Sequence, residues 1–156
     1  MDSNSKEISQ SPLIIYCHGN AGNKIDIIEI FEFLLWEFNI CSFDFSGAGF
    51  SEGEYVTLGY YEKYDIQAVV EFLRKELGIK NIILYGRSMG AVSSLLYSEM
   101  DQKLKACILD SPFCNFPRLC EEILSNKFFI PSVMSNLLID SARERILEKV
   151  EGFDIK

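Results

Sequence analysis

The sequence predicts an α/β fold, a mostly parallel sheet with flanking helices, and two observations carry that expectation. Short apolar runs (Leu13 to Cys17, Ile40 to Phe45, Asn81 to Tyr85 and Ala106 to Leu109) alternate with stretches of helical periodicity. Such alternation is the pattern of a parallel sheet joined by right-handed crossovers. The polar and glycine-rich residues cluster just after the strands: His18-Gly19-Asn20, Asp44 to Gly49, Ser88 and Asp110 all follow predicted strand ends. The carboxyl edge of a parallel sheet is where such folds gather their active groups.

Taken in order, Met1 to Ser11 is polar and reads as a disordered leader, or as the scar of something removed upstream, ahead of one domain, residues 12–156. Pro12 introduces Leu13 to Cys17, a continuous apolar run of the kind buried on both faces. From Asp26 the spacing turns helical, with Ile27, Phe31, Leu34, Leu35 and Phe38 on one face. Ile40 to Phe45 is the second strand and closes on a polar loop through Gly53. Tyr61 to Leu77 is the clearest helix, with Ile66, Val69, Val70, Leu73 and Leu77 on its apolar face and Gly78 as its stop. The third strand, Asn81 to Tyr85, precedes a small-residue helix, Ala91 to Tyr97. After the fourth strand, Asn115 can cap a helix carrying Phe116, Leu119, Cys120, Ile123 and Leu124. Residues 116–149 form a candidate lid or cap segment, with an apolar stretch from Phe128 to Ile139 broken by Pro131.

The totals narrow the function classes. A formal charge of −8 over 156 residues argues against nucleic acid and against simple adsorption to acidic lipid. Five cysteines at irregular spacing, three of them in strand-like runs, suggest free thiols in a reducing compartment. No CxxC pair or histidine cluster suggests a metal, and no cofactor is implied. With no signal peptide or apolar span of bilayer length in view, a cytoplasmic location is expected, with peripheral membrane association left open.

The chemistry centres on Gly86-Arg87-Ser88-Met89-Gly90, set between a strand and a helix. A sharp strand-to-helix turn holds a serine in a strained backbone, and flanking glycines keep a β-carbon out of the crowded turn. The strain exposes the Ser88 hydroxyl and leaves the Met89 N–H at a helix N-terminus, aimed at a developing oxyanion.

Four motifs in order resemble the central part of the α/β-hydrolase superfamily. His18-Gly19-Asn20-Ala21 is similar to the oxyanion loop after the family's third strand. Phe43 to Gly53 resembles the "D-x-R-G-x-G-x-S-x-G" loop, with Ser46 in place of the usual arginine. Gly86 to Gly90 matches the nucleophile elbow, and Asp110-Ser111-Pro112-Phe113 matches the segment after the sixth strand. Within the superfamily the chain looks closest to the serine aminopeptidase-like and monoacylglycerol lipase-like group. The resemblance implies a serine hydrolase acting on an ester, thioester or amide of a small-molecule or acyl substrate. It makes Ser88 the nucleophile and gives the oxyanion-hole N–H groups to Asn20 and Met89. His18 and Asp110 are supporting candidates, His18 as an orienter of the oxyanion loop and Asp110 as a loop-ordering carboxylate or acid. Asp44 reads as a cap or turn residue.

Family members carry the acid and then the histidine after the serine. Here no histidine follows Ser88, and the one histidine is His18. The expectation is therefore a hydrolase fragment, truncated at both ends, whose acid and histidine lie in sequence not present. The alternative is a catalytically inactive domain with a binding role. Oligomeric state is open.

Overall fold

Leu13–Cys17 forms β1, followed by a 3-10 turn (Lys24–Ile27), α1 (Ile28–Leu34), β2 (Asn39–Ser42), α2 (Glu62–Glu76), β3 (Ile82–Arg87), α3 (Met89–Met100) and β4 (Ala106–Asp110). These elements come from a computed structural model that describes residues 11–34, 38–115, 117–120, 140, 141 and 144. The chain divides into two compact units, residues 1–112 and 113–156.

In the first unit the four strands make one parallel sheet in the order β2-β1-β3-β4. From β1 the chain crosses to β2 on one side, whereas from β3 it crosses to β4 on the other. Right-handed crossovers therefore put α1 on one face of the sheet and α2 and α3 on the opposite face. The reversal creates a crevice between the carboxyl ends of β1 and β3, the position at which open α/β sheets bind ligands. Register holds those ends level, with Tyr16 beside Tyr85 and Cys17 beside Gly86.

Flanked by a strand on each side, β1 is buried along its whole length, as its unbroken apolar run predicts. The core continues through Phe45, Ile66, Val70, Leu73, Ile79, Ile82, Leu84, Met89 and Tyr97. At the edge, β4 leaves Ile108 43% exposed.

Three details depart from the periodicity. The second strand ends at Ser42 rather than Phe45: the Phe45 amide donates to the His18 ring instead of to the ladder, and the Asp44 carboxylate is held by the Lys24 amide of the 3-10 turn. Phe31 is exposed although Ile27 is buried. Ile27 belongs to a 3-10 turn of about 3.0 residues per turn, so the four-residue spacing no longer keeps both on one face. Leu77 is exposed because it caps α2 and the chain turns away at Gly78, where φ is +68°.

In the second unit residues 117–120 are helical, and Asn115 Oδ1 accepts the Arg118 amide at 2.9 Å, the geometry of an N-cap. Ile123, Leu124, the apolar stretch 128–139 and the leader 1–10 lie outside the described residues. No helix among the described residues is long and apolar enough to cross a membrane.

Candidate active site

Ser88 sits at φ 53° and ψ −113°, between the last residue of β3 and the first of α3. A non-glycine residue reaches that region only when its surroundings hold it there. Its amide donates to the Asp110 carbonyl at 2.8 Å, and its carbonyl accepts the Ala91 and Val92 amides at 3.0 and 3.1 Å. The glycines on either side are enforced by space. A β-carbon on Gly86 would run into the backbone of Gly90 and Ala91, and one on Gly90 into the carbonyls of Cys17 and His18. This last contact seats α3 against the end of β1. Met89 contributes the first amide of α3, which has no carbonyl one turn back to bond.

The loop after β1 comes to the same place. A β-carbon on Gly19 would stand 3.7 Å from the Ser88 Cβ and 3.5 Å from the Arg87 carbonyl oxygen. The loop then closes tightly: the Gly22 amide reaches the Gly19 carbonyl at 3.0 Å, and Asn20 Oδ1 accepts the Ala21 amide at 3.0 Å. Asn23 ends it with a capping box, its side chain accepting the Ile25 amide while Asp26 accepts the Asn23 amide.

His18 is fully buried. Its Nε2 accepts the Phe45 amide at 3.1 Å, so Nδ1 carries the proton and donates to the Gly19 carbonyl at 2.8 Å. Its ring also packs edge-on against Phe45, with centroids 4.9 Å apart. With both ring nitrogens engaged, the imidazole ties the loop after β1 to the loop after β2.

Asp44 anchors that second loop. Its side chain is buried, and it accepts the Lys24 amide at 2.7 Å, the Lys24 ammonium at 2.6 Å and the Phe50 amide at 3.0 Å. Desolvation pushes the carboxyl up, but the hydrogen bonds from Lys24 and Phe50 outweigh it and hold it at about 2. Asp65 takes both the amide and the hydroxyl of Ser46 at 2.9 Å. Further along, the buried Glu62 carboxylate accepts the Thr57 amide (2.6 Å), the Thr57 hydroxyl (2.7 Å) and the Gly59 amide (2.7 Å).

Asp110 is engaged through both carboxylate oxygens. Oδ1 accepts the Ser111 hydroxyl at 2.8 Å, and Oδ2 lies 3.7 Å from Arg87 Nε. Arg87 also pairs with Glu29 at 2.5 Å, so the residue before the serine bridges α1 and β4.

All five cysteines are free. Burial pushes the Cys17 thiol up to about 12, which leaves almost no thiolate at neutral pH. Among the described residues no group of three or more His, Cys, Asp or Glu is placed to hold a metal ion.

The structure thus brings His18, Gly19, Ser88, Met89 and Asp110 to one end of the sheet. Lys24, Glu62 and Asp65, which stitch the loops there, were not singled out by sequence. Each reads as an ordinary solvated charge, and its partner gives no periodic signal.

The family model described as alpha/beta hydrolase fold matches residues 12–150. Over 125 residues the chain is 33% identical to the uncharacterized protein YqkD of Bacillus subtilis, covering 76% of this chain and 40% of that one. It is 29% identical over 131 residues to the lysophosphatidylserine lipase ABHD12 of Gallus gallus, covering 78% and 32%. The esterase Pf2001 of Pyrococcus furiosus superposes with a TM-score of 0.68 at 26% identity, covering 83% of this chain and 50% of that one. The chain thus spans half or less of the length of these relatives. The family model spans most of the chain, and the chain belongs to the α/β-hydrolase fold family.

Proposed function

We propose that the protein is a serine hydrolase that cleaves an ester, thioester or amide bond through an acyl-enzyme on Ser88. The observation that carries this reading is the strained Ser88 turn, with Gly19 of the neighbouring loop against it. In the proposed reaction Ser88 Oγ attacks the acyl carbonyl and its proton passes to a general base. The backbone N–H groups of Met89 and Asn20 stabilise the oxyanion. Collapse expels the leaving alcohol, thiol or amine, which takes up that proton, and water then hydrolyses the acyl-enzyme.

His18 is engaged on both ring nitrogens, which leaves it no free nitrogen with which to act as that base. Asp110 orders the elbow rather than orienting a histidine. The likeness to an esterase and a lysophosphatidylserine lipase favours a carboxylic ester carrying an acyl chain. The loops His18 to Ala21 and Asp44 to Gly53 support a place in the serine aminopeptidase-like and monoacylglycerol lipase-like group. Five free cysteines support a reducing, cytoplasmic setting.

The absent base also motivates a second reading, a non-catalytic domain that keeps the fold for binding. A fluorophosphonate probe separates the two. The first reading expects rapid labelling that Ser88→Ala abolishes. A protein folded by circular dichroism that does not label, with its neighbouring sequence present, establishes the second.

A further inference from the structure

Glu62 opens α2 with its side chain inside the protein, 2% exposed. A carboxylate shut away from water is costly unless hydrogen-bond donors surround it. Here the donors come from one short turn. Oε1 accepts the Thr57 amide at 2.6 Å, and Oε2 accepts the Thr57 hydroxyl and the Gly59 amide, each at 2.7 Å. The Thr57 hydroxyl in turn accepts the Tyr61 amide at 2.8 Å, which ties the turn to the start of the helix.

The turn is strained as well as bonded. Leu58 lies at φ 56° and Gly59 at φ 119°. A leucine stays in the left-handed region only where its surroundings hold it. Both of its chain neighbours are held by Glu62, and its own side chain packs against the core. Gly59 is thereby laid on α3. A β-carbon there would stand 2.8 Å from Val92 Cγ1 and 3.5 Å from the Ser93 amide nitrogen.

Val92 is the link to the elbow. Its amide donates to the Ser88 carbonyl at 3.1 Å, beside that of Ala91 at 3.0 Å. The Ser88 side chain makes no capping bond to this helix, so the first turn of α3 is held by its neighbours. The Asp110 carbonyl takes the Ser88 amide, the Cys17 and His18 carbonyls lie against Gly90, and Gly59 lies against Val92. Close-packed groups pass a displacement on to what they touch. Loosening the turn therefore frees one of the three supports of the elbow.

We infer that Glu62 is a positioning residue for the proposed nucleophile: through Thr57 and Gly59 it holds the 57–59 turn against Val92 and so fixes the turn of α3 that carries Ser88. The inference rests on the reading of Ser88 given above.

Amide hydrogen exchange in the whole protein, followed residue by residue by NMR, tests the positioning without need of activity. In Glu62→Gln the Ala91 and Val92 amides should exchange about tenfold faster relative to those of Leu96 and Tyr97 in the same helix. Fluorophosphonate labelling of Ser88 should slow about tenfold at saturating probe, with the half-saturating concentration unchanged. Thr57→Val should lose part of both, and Thr57→Ser, which keeps the hydroxyl, should restore them. This pair carries the test if Glu62→Gln fails to fold. Exchange that rises evenly along α3, or not at all, overturns the inference, as does labelling of the variants at the wild-type rate. If no form of the protein labels while Ala91 and Val92 respond, the positioning stands and the Ser88 chemistry is what fails.

Discussion

The imidazole of His18 accepts the Phe45 amide at 3.1 Å, joining the loop that follows β1 to the loop that follows β2. Removing the ring leaves a buried amide without a partner and a void beside Phe45. His18→Ala is expected to lower the unfolding free energy by about 2–4 kcal/mol, read from urea denaturation. A change near zero would show that the loops are held together by other contacts.

The strain at Ser88 has a thermodynamic signature separate from chemistry. Glycine tolerates φ 53° and ψ −113° far better than serine does. Ser88→Gly should therefore raise stability by about 1 kcal/mol while eliminating the proposed nucleophile. A thermal melt of the two proteins checks it, and a destabilised variant would mean that the serine side chain holds the turn.

At Gly90 the obstruction is backbone on both counts, the Cys17 and His18 carbonyls. Neither can swing aside as a flexible side chain would. Gly90→Ala should cost about 3 kcal/mol, seen as a lower denaturation midpoint with an unchanged slope.

The Asp44 carboxyl, held at about 2 by Lys24 and Phe50 against desolvation, makes a pH-dependent contribution. The folded value lies below the roughly 3.9 of an unfolded aspartate, so the native state favours the ionised form. The contribution is complete above about pH 4 and is lost as pH falls through about 2. The stability gap between wild type and Asp44→Asn should shrink across that window. Urea titrations at pH 6, 4, 3 and 2 measure it, and a gap undiminished at pH 2 contradicts the assignment.

Much of the fold was legible because parallel strands buried on both faces must be apolar throughout. Leu13–Cys17 is a strand from end to end, as its sequence predicts. The elbow was legible for a local reason, since only glycine fits at Gly86 and Gly90. The approach of Gly19 to Ser88 is different, because it follows from sheet order rather than from any spacing between them. Glu62 was opaque: a carboxylate at the start of an amphipathic helix looks like solvent-facing charge, and only the turn of Thr57 and Gly59 around it reveals burial. Phe31 misled because a 3-10 turn changed the angular step just before it.

The sheet order also sets a timetable for synthesis. Leu13 pairs with Asn39 on one side and with Ile82 on the other, 69 residues further along the chain. At roughly 5–20 residues per second, a ribosome needs about 3–14 s to deliver that second partner. Throughout that interval the apolar β1 strand has at least one open flank. The loop bearing Gly19 also waits for the serine beside which it will finally lie. Chaperone demand should therefore be greatest before β3 emerges and fall once the β1–β3 pairing closes.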